Sequence, residues 1–183
     1  MPRLFVAIAP TPAIASCLAQ WQPRQAAGIK LTTLAQFHLT LHFIGEADVQ
    51  PVAQALQQIK AATFSIKLDK LGRFHSHNGG NALWAGVQQN PQLLDLHDKV
   101  LAALSMAGLK PKVRAYTPHI TLARCKPEAP GNIINDFLMQ DAEFPSAPMP
   151  VSDFALYSSI LTSEGSQYTR EHSFPLQKIP DVT

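Results

Sequence analysis

The sequence predicts a two-lobed molecule of mixed helices and strands, and three observations lead there. The pattern His-x-Thr-Leu is written twice, as His38-Leu39-Thr40-Leu41 and as His119-Ile120-Thr121-Leu122. Each copy lies in a run of alternating apolar residues, the period-2 signature of a half-buried strand. The elements around the copies also recur in one order at near-constant distance. His38 to His119 is 119 − 38 = 81 residues, while Thr11 to Asn90 and Leu4 to Leu83 are each 79 apart. Such repetition predicts an internal duplication within a single domain. The lobes would be roughly residues 1–80 and 81–183, with strands free to exchange between them. Each lobe would turn one His-x-Thr strand toward a shared cleft.

The elements follow in order. Residues 4–9 are a short unbroken apolar run and predict a buried first strand. Pro10-Thr11-Pro12 ends it and starts a helix, with Thr11 as N-cap and Pro12 at the first helical position. Ile14, Cys17, Leu18 and Trp21 keep helical spacing until Pro23. Residues 24–34 are mixed and predict a loop with room for one short strand. The first motif strand, residues 37–45, ends at Gly45. Asp48 is placed to cap a helix over about residues 49–60, with Val52, Leu56 and Ile59 inward. Residues 64–68 alternate strictly and predict a strand. Residues 72–81 are polar and glycine-rich and predict a loop, and residues 82–87 predict the next strand.

The order then repeats. Asn90-Pro91 predicts the cap of a helix reaching about residue 107, closed by Gly108, with Leu93, Leu96, Val100 and Leu104 on one stripe. After the second motif strand come a break at residues 127–131, a short helix at 132–139 and the start of a strand at 142–144. Residues 151–161 and 167–176 predict a closing hairpin around Ser163-Glu164-Gly165.

Composition narrows the function classes. A net charge of +2, from 15 Lys and Arg against 13 Asp and Glu, excludes an extended basic surface that binds nucleic acid by charge alone. A small electropositive pocket remains compatible with it. Cys17 and Cys125, the two cysteines, stand in no metal or redox spacing and predict free thiols in a reducing compartment. The apolar start is too short for a signal peptide and no run is long enough to span a membrane. A soluble cytoplasmic protein is the expectation.

The chemistry follows from the motif. In an ideal strand His38 and Thr40 face one way and Leu39, Leu41 and Phe43 the other; His119 and Thr121 oppose Ile120 and Leu122 in the same manner. Two histidines facing one cavity can divide proton transfer, because an unperturbed pKa of about 6.5 leaves both forms accessible. A threonine two residues on sits about 6.6 Å away on the same face. Its hydroxyl can donate to an oxyanion between the imidazoles, most naturally a phosphate. The four groups describe acid–base cleavage of a phosphodiester. His38 and His42 would make a zinc pair on a helix, but four strand residues span about 13 Å. Carboxylates are missing near both motifs, since Glu46 and Asp48 lie beyond the strand end, so no catalytic metal is expected.

Other residues are placed by alternation. His42 shares the face of His38 and Thr40 and is a candidate for lining the cleft. Phe43 could stack on a nucleobase as a second cleft candidate, but its parity favours packing in the core. Arg124 falls opposite His119, and reaches a phosphate only if the strand ends or bulges there. His75 and His77 are expected in solvent, His97 is expected to face out of its helix, and His172 has no partner visible in sequence.

At these residues the chain resembles the 2H phosphoesterase superfamily, marked by paired His-x-Thr-x motifs. Within it, the chain is similar to the bacterial and archaeal RNA 2′,3′-cyclic phosphodiesterases, historically called 2′-5′ RNA ligases. The likeness runs through Arg3-Leu4-Phe5-Val6-Ala7-Ile8, Trp21, His38-Leu39-Thr40-Leu41 with Phe43-Ile44-Gly45, and Leu83-Trp84-Ala85-Gly86-Val87. It continues in Pro118-His119-Ile120-Thr121-Leu122-Ala123-Arg124 and Phe154-Ala155-Leu156-Tyr157-Ser158-Ser159. The resemblance implies a bilobal α+β fold with antiparallel sheets, flanking helices and the active site in the central cleft. It implies hydrolysis of RNA 2′,3′-cyclic phosphate ends to 2′-phosphomonoesters without a metal or other cofactor, and in reverse a 2′-5′ ligation. By position, His38 and His119 would be the acid–base pair, with His119 the base. Thr40, Thr121 and Arg124 would hold the phosphate, while His42 departs from a family position that is usually small or apolar. Expected partners are RNA with cyclic phosphate ends, tRNA fragments included, or cyclic nucleotides, and a monomer is expected. The alternatives are a phosphodiesterase for small cyclic nucleotides, ADP-ribose cyclic phosphate or 2′-5′ oligoadenylates, and a non-catalytic RNA-end binding module.

Overall fold

The structure, a computed structural model, describes residues 1–145, 147–163 and 165–178. Along the chain run β1 (Arg3–Ile8), α1 (Pro12–Gln20), β2 (Ile29–Leu31), a 3-10 turn (Leu34–Gln36), β3 (Leu39–Glu46), α2 (Val49–Gln57), β4 (Phe64–Ile66) and β5 (Leu68–His75). Then come β6 (Asn81–Val87), α3 (Pro91–Met106), β7 (His119–Cys125), α4 (Gly131–Leu138), β8 (Met149–Val151), β9 (Asp153–Thr162) and β10 (Gly165–Pro175). Eight strands form one sheet in the order β10-β9-β1-β3-β7-β6-β5, with β2 also paired to β7; β4 and β8 form a separate pair. Every pairing between these strands is antiparallel. The two motif strands β3 and β7 are therefore neighbours at the middle of an α+β fold.

One face of this sheet carries the core. Leu4, Val6 and Ile8 of β1 pack with Ile14 and Leu18 of α1, Val52 and Leu56 of α2, and Leu93, Leu96, Val100 and Leu104 of α3. Phe137 of α4 joins the same cluster. Helices thus cover the Leu4, Val6 and Ile8 face, and the Phe5 and Ala7 face is left for the cleft. The helix starts obey local rules. The Thr11 hydroxyl accepts from the Ile14 N–H at 3.4 Å, and Asn90 Oδ1 accepts from the N–H groups of Gln92 and Leu93 at 3.0 Å each. Gly108 takes a φ of 79° just past α3, a left-handed turn that favours glycine.

Several expectations are corrected. The strand predicted at residues 64–68 is broken at Lys67, because β4 pairs with β8 while β5 joins the main sheet. The loop predicted from residue 72 starts only after His75. Gly72 lies within β5 because the Trp84 ring occupies the space a side chain would need; a Cβ there would stand 2.2 Å from the ring. Residues 142–144 form no strand, and the next strand begins at Met149. His97 points inward: it is 9% exposed and stacks on Tyr116 with ring centres 4.1 Å apart. The closing hairpin is present as β9 and β10; its expected tip residue Glu164 lies outside the described residues.

Candidate active site

Although adjacent, β3 and β7 pair at one point, Leu39 opposite Ile120. Both residues are fully buried on the core face. Antiparallel register continued one step each way sets His38 across from Thr121 and Thr40 across from His119, with Cα atoms about 5 Å apart in such pairs. Alternation turns all four away from the core, and all four are partly exposed. Two short motifs 81 residues apart are thereby assembled into one square of two imidazoles and two hydroxyls.

Both imidazoles are oriented by the same device. His38 Nδ1 lies 2.7 Å from the Gln36 carbonyl oxygen, and His119 Nδ1 lies 2.7 Å from the Thr117 carbonyl oxygen. A carbonyl only accepts, so Nδ1 carries the hydrogen in each ring and Nε2 is left for chemistry. Aromatic walls complete the setting. The His38 ring meets Phe5 at 4.9 Å and the edge of Tyr168 at 5.3 Å. The His119 ring meets Phe74 edge-on at 4.8 Å and Trp84 at 6.0 Å. Burial among these rings lowers both pKa values, partly offset by the carbonyl hydrogen bonds. The Arg124 charge lowers both further, and the His119 charge adds to the effect at His38. Neutral imidazole is favoured in each.

Departures from ideal alternation decide the next residues. Ala7 pairs with Thr40 but Val6 pairs with His42, so β3 carries an extra residue at Leu41; a second shift leaves Ile44 extra. Parity flips at the first bulge. His42 therefore shares the face of core residue Val6, not that of His38, and the charge of His97 on α3 helps to lower its pKa, after burial. Phe43 moves to the site face beside Phe5, 5.9 Å between ring centres, and is 65% exposed instead of packed in the core. On β7, Trp84 pairs with Thr121 but Leu83 pairs with Ala123, leaving Leu122 extra. Leu122 and Ala123 are both fully buried, and Arg124 returns to the face of His119. The bulge that Arg124 needed is present.

Two cavities adjoin this square. One of about 620 Å³ is lined by Thr40, Phe43, Phe74 and His119 and extends along residues 109–117. His42, His97 and Tyr116 line it as well. The other, about 540 Å³, is lined by Phe74, Arg124, Lys30 and Lys126. Such volumes suit small ligands or parts of larger ones. Among the described residues no group of three or more His, Cys, Asp or Glu side chains is placed to hold a metal ion. His75 and His77 are exposed as expected, and the His172 ring lies 6.4 Å from that of Phe174. Sequence reasoning missed the ring walls Phe5, Tyr168, Phe74 and Trp84, and the Tyr116 hydroxyl, which donates to the Thr40 carbonyl at 3.0 Å. Their signal was weak: aromatic residues in strands ordinarily mean core packing.

Comparison with known proteins places this architecture. Residues 10–160 match the model of the 2′-5′ RNA ligase superfamily. The chain is 29% identical over 168 residues to the RNA 2′,3′-cyclic phosphodiesterase of Methanocaldococcus jannaschii, covering 91% of this chain and 96% of that protein. It is 32% identical over 148 residues to the RNA 2′,3′-cyclic phosphodiesterase of Aeropyrum pernix, covering 77% and 84%. The crystal structure of TT0787 of Thermus thermophilus superposes with a TM-score of 0.78 at 28% identity, over 96% of this chain and 98% of that one. E. coli LigT complexed with 3′-AMP has a TM-score of 0.76 at 22% identity over the same shares, a likeness of fold. Fold and paired motifs are those of the two-histidine phosphoesterases, and the chain belongs to the 2′-5′ RNA ligase superfamily.

Proposed function

We propose that the protein hydrolyses 2′,3′-cyclic phosphate ends of RNA to 2′-phosphomonoesters by metal-free acid–base catalysis between His38 and His119. The observation that carries this reading is the square of His38, Thr121, Thr40 and His119 across the β3–β7 seam, with both Nδ1 atoms occupied by carbonyls. The activity borne by the relatives' names supports the substrate class. The cyclic phosphate sits between the imidazoles, its non-bridging oxygens on the Thr40 and Thr121 hydroxyls and the Arg124 guanidinium. His119 Nε2 takes a proton from water as the oxygen attacks phosphorus in line. His38 Nε2–H gives a proton to the departing 3′-oxygen, leaving the phosphate on the 2′ position. The role of base goes to His119, which the family resemblance suggests; His119 also lines the 620 Å³ cavity and His38 does not. A bound phosphate's negative charge raises the pKa of His38 and so favours the protonated acid.

The halves are read as a duplicated unit with exchanged strands, supported by equivalent bulges after each motif at Leu41 and Leu122. Reverse 2′-5′ ligation follows from the same geometry when two RNA ends are held together. The site suits a monomer acting in the cytoplasm on RNA fragments such as cleaved tRNA. Free Cys17 and Cys125 agree with a reducing compartment, and no described helix is long and apolar enough to cross a membrane. Incubating a 2′,3′-cyclic-phosphate RNA with the protein and excess chelator tests the reading. A 2′-phosphate product is expected; a 3′-phosphate, or activity that requires added zinc or manganese, would overturn it.

A further inference from the structure

The two motif strands differ in what lies along their free halves. Beside β7, the strand β2 pairs with residues Ala123, Arg124 and Cys125. Beside β3, the corresponding residues His42, Phe43 and Ile44 face no described strand on that side, since residues 109–118 are irregular. The 620 Å³ cavity lies there. Thr40, Phe43 and His119 line it, and so do Lys110, Lys112 and Arg114. Among the described residues no carboxylate lines it, and none of these three cations has an ion-pair partner. In a chain of net charge +2, three uncompensated cations within five residues form a local positive patch. Tyr116 ties the C-terminal end of this segment to β3 through its hydrogen bond to the Thr40 carbonyl and to α3 through its stack on His97.

We propose that this cavity is the track for single-stranded RNA upstream of the reacting phosphate, with Lys110, Lys112 and Arg114 contacting successive backbone phosphates. The inference rests on the RNA reading above and adds where the chain leaves the site. An exposed aromatic ring beside a run of cations is what sequence-tolerant single-strand binding requires, the ring for a base face and the cations for the backbone. On this reading a mononucleoside cyclic phosphate has no upstream backbone phosphates to offer these cations. The track therefore sets a preference for oligonucleotides over mononucleotides.

The test measures kcat/KM for a mononucleoside 2′,3′-cyclic phosphate and for a short oligonucleotide with the same end. The proteins compared are the wild type, the triple variant K110A/K112A/R114A and Lys126→Ala, whose lysine lines the other cavity. The wild type is expected to prefer the oligonucleotide. The triple variant should lose about 10- to 100-fold on the oligonucleotide and less than about 2-fold on the mononucleotide, with the salt slope of oligonucleotide binding flatter by about 2. Retained mononucleotide turnover reports an intact fold, and single glutamine variants divide the effect if the triple variant does not fold. Equal losses on both substrates, no loss on the oligonucleotide, or a larger loss in Lys126→Ala would overturn the track while leaving the hydrolase reading standing. A wild type inactive on both substrates would instead overturn the hydrolase reading itself.

Discussion

The strands β3 and β7 run alike for five residues and then part. Each presents histidine and threonine, each bulges at the following leucine, and each brings the residue five after its histidine onto the site face. In β3 that residue is Phe43, paired across the ladder with Phe5; in β7 it is Arg124, paired with Ala82. The small Ala82 leaves room for the guanidinium, whereas Phe5 adds a ring beneath Phe43. The shared part of the pattern is the part proposed to transfer protons, once from each strand. On the proposed reading the divergent position would divide the binding work, with a ring for the base on one strand and a charge for the phosphate on the other.

The largest expected effect tests the shared part. Replacing His38 or His119 by alanine should each cost about 10²- to 10⁴-fold in kcat with the fold intact. The symmetry should break in the pH–rate profile. His119→Ala removes the acid-side limb, because a base must be neutral, and His38→Ala removes the alkaline limb, because an acid must be protonated. The opposite assignment of limbs would exchange the two roles, and full turnover in either variant would end the acid–base reading.

Next comes the divergent position on β7. Arg124→Gln should lower kcat/KM by about 10- to 100-fold through the lost charge-assisted contact. The variant also tests the electrostatics. Arg124 holds both imidazole pKa values down, so removing its charge should raise both and move the profile toward higher pH. A profile that stays in place would show that the guanidinium lies too far from the rings to act on them.

The smallest effect belongs to Phe43. Phe43→Ala should raise KM by about 5- to 10-fold and leave kcat within about 2-fold, as expected for an exposed stacking surface. A fall in kcat at constant KM would place the ring in the chemistry instead.

Much of this was legible locally. Thr11, Asn90 with Pro91, and Gly108 mark helix ends through hydrogen bonds or backbone angles that involve only their chain neighbours, and the structure realises each of them. The square of His38, Thr40, His119 and Thr121 was legible because alternation is also a local rule. What failed were the facings that alternation gave His42, Phe43 and His97, although His42 and Phe43 both line the cavity beside Thr40 and His119. Parity past Leu41 depends on how β1 pairs with β3, and the facing of His97 depends on Tyr116 nineteen residues later, a separation of 116 − 97 = 19. The same limit hid β5, whose Gly72 reads as a turn residue until the Trp84 ring is seen to lie over it.

The sequence by itself determined the residue types of the candidate site, their spacing on one strand face and the repetition that makes two of them. Each follows from covalent periodicity, which needs no partner. Only the tertiary structure decided which residues after each motif reach the site. A bulge is a mismatch between two strands, and nothing in either strand alone specifies it. For that reason Arg124, left dependent on an unseen bulge, now stands beside His119, and His42, expected beside His38, stands behind it.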